Sequence, residues 1–90
     1  MRLDLFLKLS RLCPRRSVAQ QLCDAGFVLL NGRPAKPAHA VKTNDELTIR
    51  RRDRETIVRV MIVPEGRSLS RQDANSLVET ILQRELPDVL

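Results

Sequence analysis

The side chains with most to offer a ligand in this sequence are cationic. Arg15 and Arg16 stand together, Gln20 and Gln21 follow one turn later, and Arg2, Lys8, Arg11, Arg33, Lys36 and Lys42 complete the basic set of the first half. An arginine guanidinium is planar and donates paired hydrogen bonds that match a phosphate. Arginine and glutamine can also read base edges. Residues 1–42 hold eight basic and two acidic residues, and residues 43–90 hold eight basic and nine acidic ones, so the net charge of +5 belongs to the first half. Such asymmetry favours a polyanion, nucleic acid above all, over a merely solvated surface.

Other chemistry finds little support. His39 is the single histidine, and no Gly-rich phosphate loop can be built from Gly26, Gly32 and Gly66. Asp45 and Glu46 are neighbours, which on a strand sends them to opposite faces. Catalysis needs a nucleophile, acid or base held by a supporting group, and no such set stands out, so the chain reads as a binding module rather than an enzyme. Cys13 and Cys23 with His39 cannot complete a four-ligand zinc site without carboxylates. The cysteines are expected as small hydrophobes or exposed thiols of a reducing compartment. No apolar run is long enough to span a membrane and no signal peptide is visible, so the expectation is a cytoplasmic protein without a membrane partner.

Three local signals say what positions the cations. Leu3, Phe6 and Leu7, continued by Leu5, Leu9 and Leu12, predict a first helix over residues 2–12, with Asp4 in its first turn. Pro14 is placed as the first residue of a second helix running to Ala25, with Val18, Leu22 and Ala25 buried and Gly26 as its left-handed stop. Arg16 and Gln20 share a face of that helix. Phe27-Val28-Leu29-Leu30 then reads as a strand, and Asn31-Gly32 as a type I′ hairpin turn. Pro34 and Pro37 make the returning strand irregular or an edge.

Further on, strands are expected over residues 46–50 and 56–63, joined by the basic turn Arg50-Arg51-Arg52-Asp53-Arg54. The second carries apolar residues on both sides and is expected to be covered on both. Ser70-Arg71-Gln72-Asp73 resembles a capping box, and Ala74, Leu77, Val78, Ile81 and Leu82 predict a last helix to Pro87. With Phe6 and Phe27 both at core-like positions, aromatic platforms for single strands are nearly missing, and binding should rest on phosphate contacts and shape.

The ordered set Arg2-Leu3-Asp4-x-Phe6-Leu7, Arg15-Arg16-Ser17-x-Ala19, Gly26-x-Val28-x-x-Asn31-Gly32, Lys36-Pro37, Val41 and Asp45-Glu46-Leu47 resembles the S4 RNA-binding domain, over about residues 2–50. The resemblance implies an α+β fold, the alpha-L motif, in which a helix pair packs on a small bent antiparallel sheet. Here that gives an S4-like domain over residues 1–64 and, over residues 65–90, a C-terminal helical extension packed on it. The stand-alone length, the Met-Arg-Leu-Asp start and the final helix expected after residues 56–63 are similar to the short S4 proteins of bacterial ribosome-associated quality control. The related fifteen-kilodalton heat-shock protein carries a basic C-terminal tail where this chain has Glu85-Leu86-Pro87-Asp88.

That branch implies contact with rRNA of the large ribosomal subunit and with the peptidyl-tRNA it still holds, support for a separate alanine-tailing factor, no cofactor, and a monomer. Arg2, Asp4 and Arg16 match the family's signature positions, with the arginines expected on phosphates. Asp4 would orient Arg16, accept from a base or ribose, or serve only as a helix N-terminal charge. Lys8, Arg11, Arg15, Gln20, Arg33, Lys36 and Lys42 complete the expected RNA surface, while Asn31 is equally a turn residue or a contact. The sequence departs from the family with Asn44 before Asp45 in place of glycine, and with Ala38 in place of a small hydroxyl residue. Two other readings stay open: a dimeric DNA-binding regulator using a helix-turn-helix, and an S4-type accessory subunit of an RNA-modifying enzyme.

Overall fold

The computed structural model describes residues 1–64 and 71–85. Its elements are α1 (Leu3–Leu9), α2 (Arg16–Asp24), β1 (Val28–Leu30), β2 (Arg33–Pro34), β3 (Glu46–Arg50), β4 (Arg54–Val60), α3 (Arg71–Asn75) and β5 (Val78–Glu85). The strands form one antiparallel sheet in the order β2-β1-β3-β4-β5. Leu3, Phe6, Leu7 and Leu9 of α1 and Ala19 and Cys23 of α2 share one core with Val28, Leu47, Ile49, Val58 and Val60 of the sheet. The architecture is thus the expected α+β helix pair on a sheet.

Both helices are shorter than the apolar spacing predicts, and each ends for a local reason. Arg11 takes a left-handed conformation, φ 62°, so α1 stops at Leu9 rather than at residue 12. Pro14 does not open the second helix. Arg15, in extended conformation, is its N-cap, and α2 begins at Arg16. The buried stripe is accordingly Ala19 and Cys23, with Val18 and Leu22 half-buried beside it and Ala25 exposed. Gly26 supplies the left-handed stop at φ 83°, and both cysteines are buried and free.

Asn31 and Gly32 have φ 51° and 84°, the type I′ pair that sets Leu30 opposite Arg33. Asn31 is scaffold: its side-chain oxygen accepts from the Glu46 N–H at 2.9 Å, and its amide donates to Asp45 at 3.1 Å. Asn44 takes φ 75°, so the family's usual glycine conformation survives there. A methyl group at Gly32 would meet nothing within 4 Å, so the cost of Gly32→Ala is the backbone's alone. We expect a loss of about 1–2 kcal/mol in urea unfolding. Unchanged stability would contradict the left-handed turn.

The expected C-terminal helix is corrected. Helical backbone ends at Asn75, and residues 78–85, placed in that helix by their spacing, form β5, paired along the whole of β4. Val78, Ile81 and Leu82 suit a helical stripe, but Val78, Thr80 and Ile81 are also β-branched, and the open edge of β4 offers them a full ladder. Ala74 and Leu77 are buried as the stripe required, whereas Ile81 and Leu82 are exposed. The capping serine, Ser70, and the stop at Pro87 lie outside the described residues. Strand β4 ends at Val60, and Met61 and Ile62 are exposed, so the expected cover on both faces fails. Phe27 is no core residue either. It precedes β1 and stands 49% exposed. No helix among the described residues is long and apolar enough to cross a membrane.

Candidate nucleic-acid interface

The start of α1 lacks a side-chain cap at Arg2, so its free N–H groups need other partners. The Leu3 N–H donates to the His39 carbonyl at 2.8 Å and the Asp4 N–H to the Pro37 carbonyl at 3.1 Å. The third, on Leu5, donates to Oδ1 of Asp4 at 2.8 Å. An isolated bridge between Arg2 and Ala40, with the Val41 N–H on the Met1 carbonyl, fixes the first residues against the same segment. These bonds turn Asp4 inward and hold the backbone of Arg2 in place.

Asp4 is 0% exposed and gathers the site around it. Arg2 donates to both of its oxygens, from Nε and Nη2, each at 3.2 Å. Arg16 brings its Nε to Oδ2 at 3.2 Å, and Gln20 donates from Nε2 to the same oxygen at 2.9 Å. Burial pushes the Asp4 carboxyl toward protonation, but the bonds from Gln20, Arg16, Arg2 and the Leu5 N–H outweigh it and leave the pKa below the ordinary value. The side chains of Arg2 and Arg16 remain 49% and 43% exposed. Arg16 is held at Nε, which leaves its two terminal nitrogens for a ligand.

The result is a fixed pair of guanidiniums on one buried carboxylate. Two adjacent cations would otherwise repel and swing freely. The carboxylate removes the repulsion and restrains rotamer freedom that a ligand would otherwise have to freeze. The pair carries one net positive charge at its outer surface, suited to a phosphate oxygen.

Of the other expected contacts Gln20 alone joins this cluster, and the remaining cations do not. Lys8 lies one turn beyond Asp4 on α1 and is half-buried, and Arg11 and Arg15 are exposed at the two helix ends. Arg33 lies on β2, and Lys36 and Lys42 are exposed on the segment that caps α1 and on the turn after it. Gln20, a candidate base reader, has its amide nitrogen engaged on Asp4 at 2.9 Å. Among the described residues no group of three His, Cys, Asp or Glu could hold a metal ion.

One arrangement escaped the sequence reading. Glu55, within the basic turn region, is almost fully buried and accepts from Arg50 Nε at 2.7 Å and Arg84 Nη2 at 2.8 Å. The bond from Arg50 is the chief cause of a lowered Glu55 pKa, against the pull of burial, with Arg84 adding to it. The register sets Arg50, Glu55 and Arg84 side by side across three strands. No local signal could have paired residues 55 and 84, because the sequence predicted residue 84 as helical.

Residues 1–47 match the family described as the S4 domain. The chain belongs to the S4 domain family. Full-length relatives narrow its place within that family. The chain is 40% identical to the RQC P-site tRNA stabilizing factor of Halalkalibacterium halodurans, over 88% of each chain. It is 39% identical to the protein of that name from Bacillus subtilis, over 94% of this chain and 95% of the relative. With the Streptococcus pneumoniae protein of that name it shares 34% identity over 98% of each. This S4 chain therefore groups with the RQC branch. Its fold is also that of a solved structure of heat shock protein 15 from Vibrio cholerae, described as trimeric. The two agree with a TM-score of 0.80 at 27% identity, over 89% of this chain and 80% of that one.

Proposed function

We propose that this S4 protein is a non-catalytic RNA-binding factor of bacterial ribosome-associated quality control. It docks on the large ribosomal subunit that still holds peptidyl-tRNA, contacts rRNA and the tRNA, and supports C-terminal alanine tailing by a separate factor. The observation that carries this reading is the Arg2–Asp4–Arg16 cluster, two half-exposed guanidiniums held on one buried carboxylate, a geometry that suits a phosphate. The names of the full-length relatives, which refer to P-site tRNA, supply the ribosomal setting. Lys8, Arg11, Arg15, Arg33, Lys36 and Lys42 add longer-range attraction from the same half of the chain. The protein acts in the cytoplasm, as a monomer, with residues 1–64 as the RNA-binding unit.

Sedimentation of cell extract tests the reading. At low salt the protein is expected to travel with large subunits, and to leave them steeply as salt rises. Arg16→Ala should release it at lower salt than Arg52→Ala does. A protein found only at the top of the gradient, or two variants of equal effect, would refute the proposal that the clamped pair is the focus. Stable capture by an RNA-modifying enzyme, with no ribosome complex, would favour the accessory-subunit reading instead.

A further inference from the structure

The basic turn after β3 and the exposed Phe27 meet at one place. Leu22, Gly26, Phe27, Arg50, Arg51 and Arg52 line a depression of about 750 Å³ beside the end of α2. The Phe27 backbone is fixed there, its N–H donating to the Leu22 carbonyl at 2.9 Å and its carbonyl accepting from the Arg50 N–H at 2.8 Å. The ring, one of only two aromatic side chains in the chain, thus stands half in solvent from a rigid base. Nothing lies within 4 Å of where a Gly26 side chain would begin, so this side of the depression is open.

The three arginines are restrained to different degrees. Glu55 holds Arg50 at Nε, and Arg51 donates from Nη2 to the Leu12 carbonyl at 2.7 Å. Arg52 has no ion-pair partner among the described residues, and Asp53 beside it faces Arg54 at 3.9 Å. We infer that this depression is a second RNA-contact site, which takes a single unstacked nucleotide with its base on Phe27 and its flanking phosphates on Arg50, Arg51 and Arg52. A solvated turn would account for the arginines alone; the depression adds an aromatic face set on a fixed backbone among them. An apolar partner protein would suit the ring but not three cations around it. Paired bases hide their faces, whereas an unpaired nucleotide presents a face for stacking and a phosphate on either side. The volume lies in the range of small-molecule sites, large enough for one nucleotide.

The inference rests on the RNA-binding reading above, and the test separates the two. Two RNA hairpins, identical except for one unpaired nucleotide in the stem, are titrated with the full chain by fluorescence anisotropy. The wild-type protein is expected to prefer the bulged hairpin about tenfold, within the range of base–aromatic stacking. Phe27→Leu, which keeps an apolar side chain and loses the ring, should abolish the preference and leave the unbulged hairpin's affinity unchanged. Phe27→Trp should keep the preference, and Arg52→Ala should weaken the bulged complex selectively. Arg16→Ala should weaken both hairpins alike. Equal wild-type affinity for the two hairpins, or an equal loss on both in Phe27→Leu, would overturn the second site alone. Binding to neither hairpin would overturn the RNA reading and this site with it.

Discussion

Asp4→Asn is expected to lower affinity for structured RNA about tenfold and to leave the fold in place. Asparagine keeps the shape of aspartate and can still accept from the Leu5 N–H. It has no charge, and its amide would set a donor among the donors of Arg2, Arg16 and Gln20. Removing one partner of a wholly buried ion pair costs about 3–5 kcal/mol, because the other charge is stranded. Here both arginines are nearly half exposed and can turn to water, so urea unfolding should show a smaller loss, about 1–2 kcal/mol. The affinity loss comes from two guanidiniums that no longer wait in position. The same carboxylate sets the pH response. Its pKa is depressed in the folded protein, so its contribution is complete above the unfolded value, about 3.9, and is lost only as pH falls through the lower folded value. Affinity should therefore stay flat from pH 8 to 5 and fall only in stronger acid. A midpoint between pH 5 and 7 would assign the response to another group. Tight binding by Asp4→Asn would leave the clamp as stabilising structure without a role in docking.

How far the sequence reaches follows from how local each signal is. The helix pair, the Gly26 stop and the Asn31-Gly32 turn are written in contiguous residues whose backbone demands are met within a few positions. The set Arg2, Asp4 and Arg16 was legible in another way, from the S4 resemblance: Asp4 is two residues from Arg2, but only the packing of α1 on α2 brings Arg16 to it. Residues 78–85 are the opposite case. Their apolar spacing satisfies a helix and a strand equally, and the choice is made by the unpaired edge of β4, which no window of sequence contains. Phe27 was misplaced for a related reason. The run Phe27-Val28-Leu29-Leu30 is uniformly apolar, yet the strand starts at Val28, and the residue between the Gly26 stop and the strand is left outside the core.

The buried acids show one device used twice. Asp4 and Glu55 are the two buried carboxylates among the described residues, and each holds one arginine close in sequence and one distant: Arg2 with Arg16, and Arg50 with Arg84. A basic protein gains nothing for phosphate affinity by burying acids at random. Placed behind a pair of guanidiniums, each acid costs one unit of charge and fixes two directional donors, a geometry that suits a shaped anionic ligand better than a diffuse one.

The largest expected loss follows from removing both outer members of the first cluster. Arg2→Ala with Arg16→Ala should weaken binding to structured RNA at least about a hundredfold, since a hydrogen bond to a charged group contributes about 1.5–3 kcal/mol and both arginines are lost. The double variant should also reduce the slope of log affinity against log salt by roughly one to two, because two phosphate contacts no longer release counterions. Arg2→Lys with Arg16→Lys separates charge from geometry. Lysine keeps the charge and much of the salt slope but cannot bind Asp4 and present a planar fork at once, so it should recover only part of the affinity. If the lysine pair binds as well as wild type, the clamp is a point-charge patch and the fork geometry is irrelevant. If the alanine pair keeps the wild-type salt slope, Arg2 and Arg16 do not touch phosphates at all, and the contacts must be sought among Lys8, Arg11, Arg15, Arg33, Lys36 and Lys42 or at Arg50, Arg51 and Arg52.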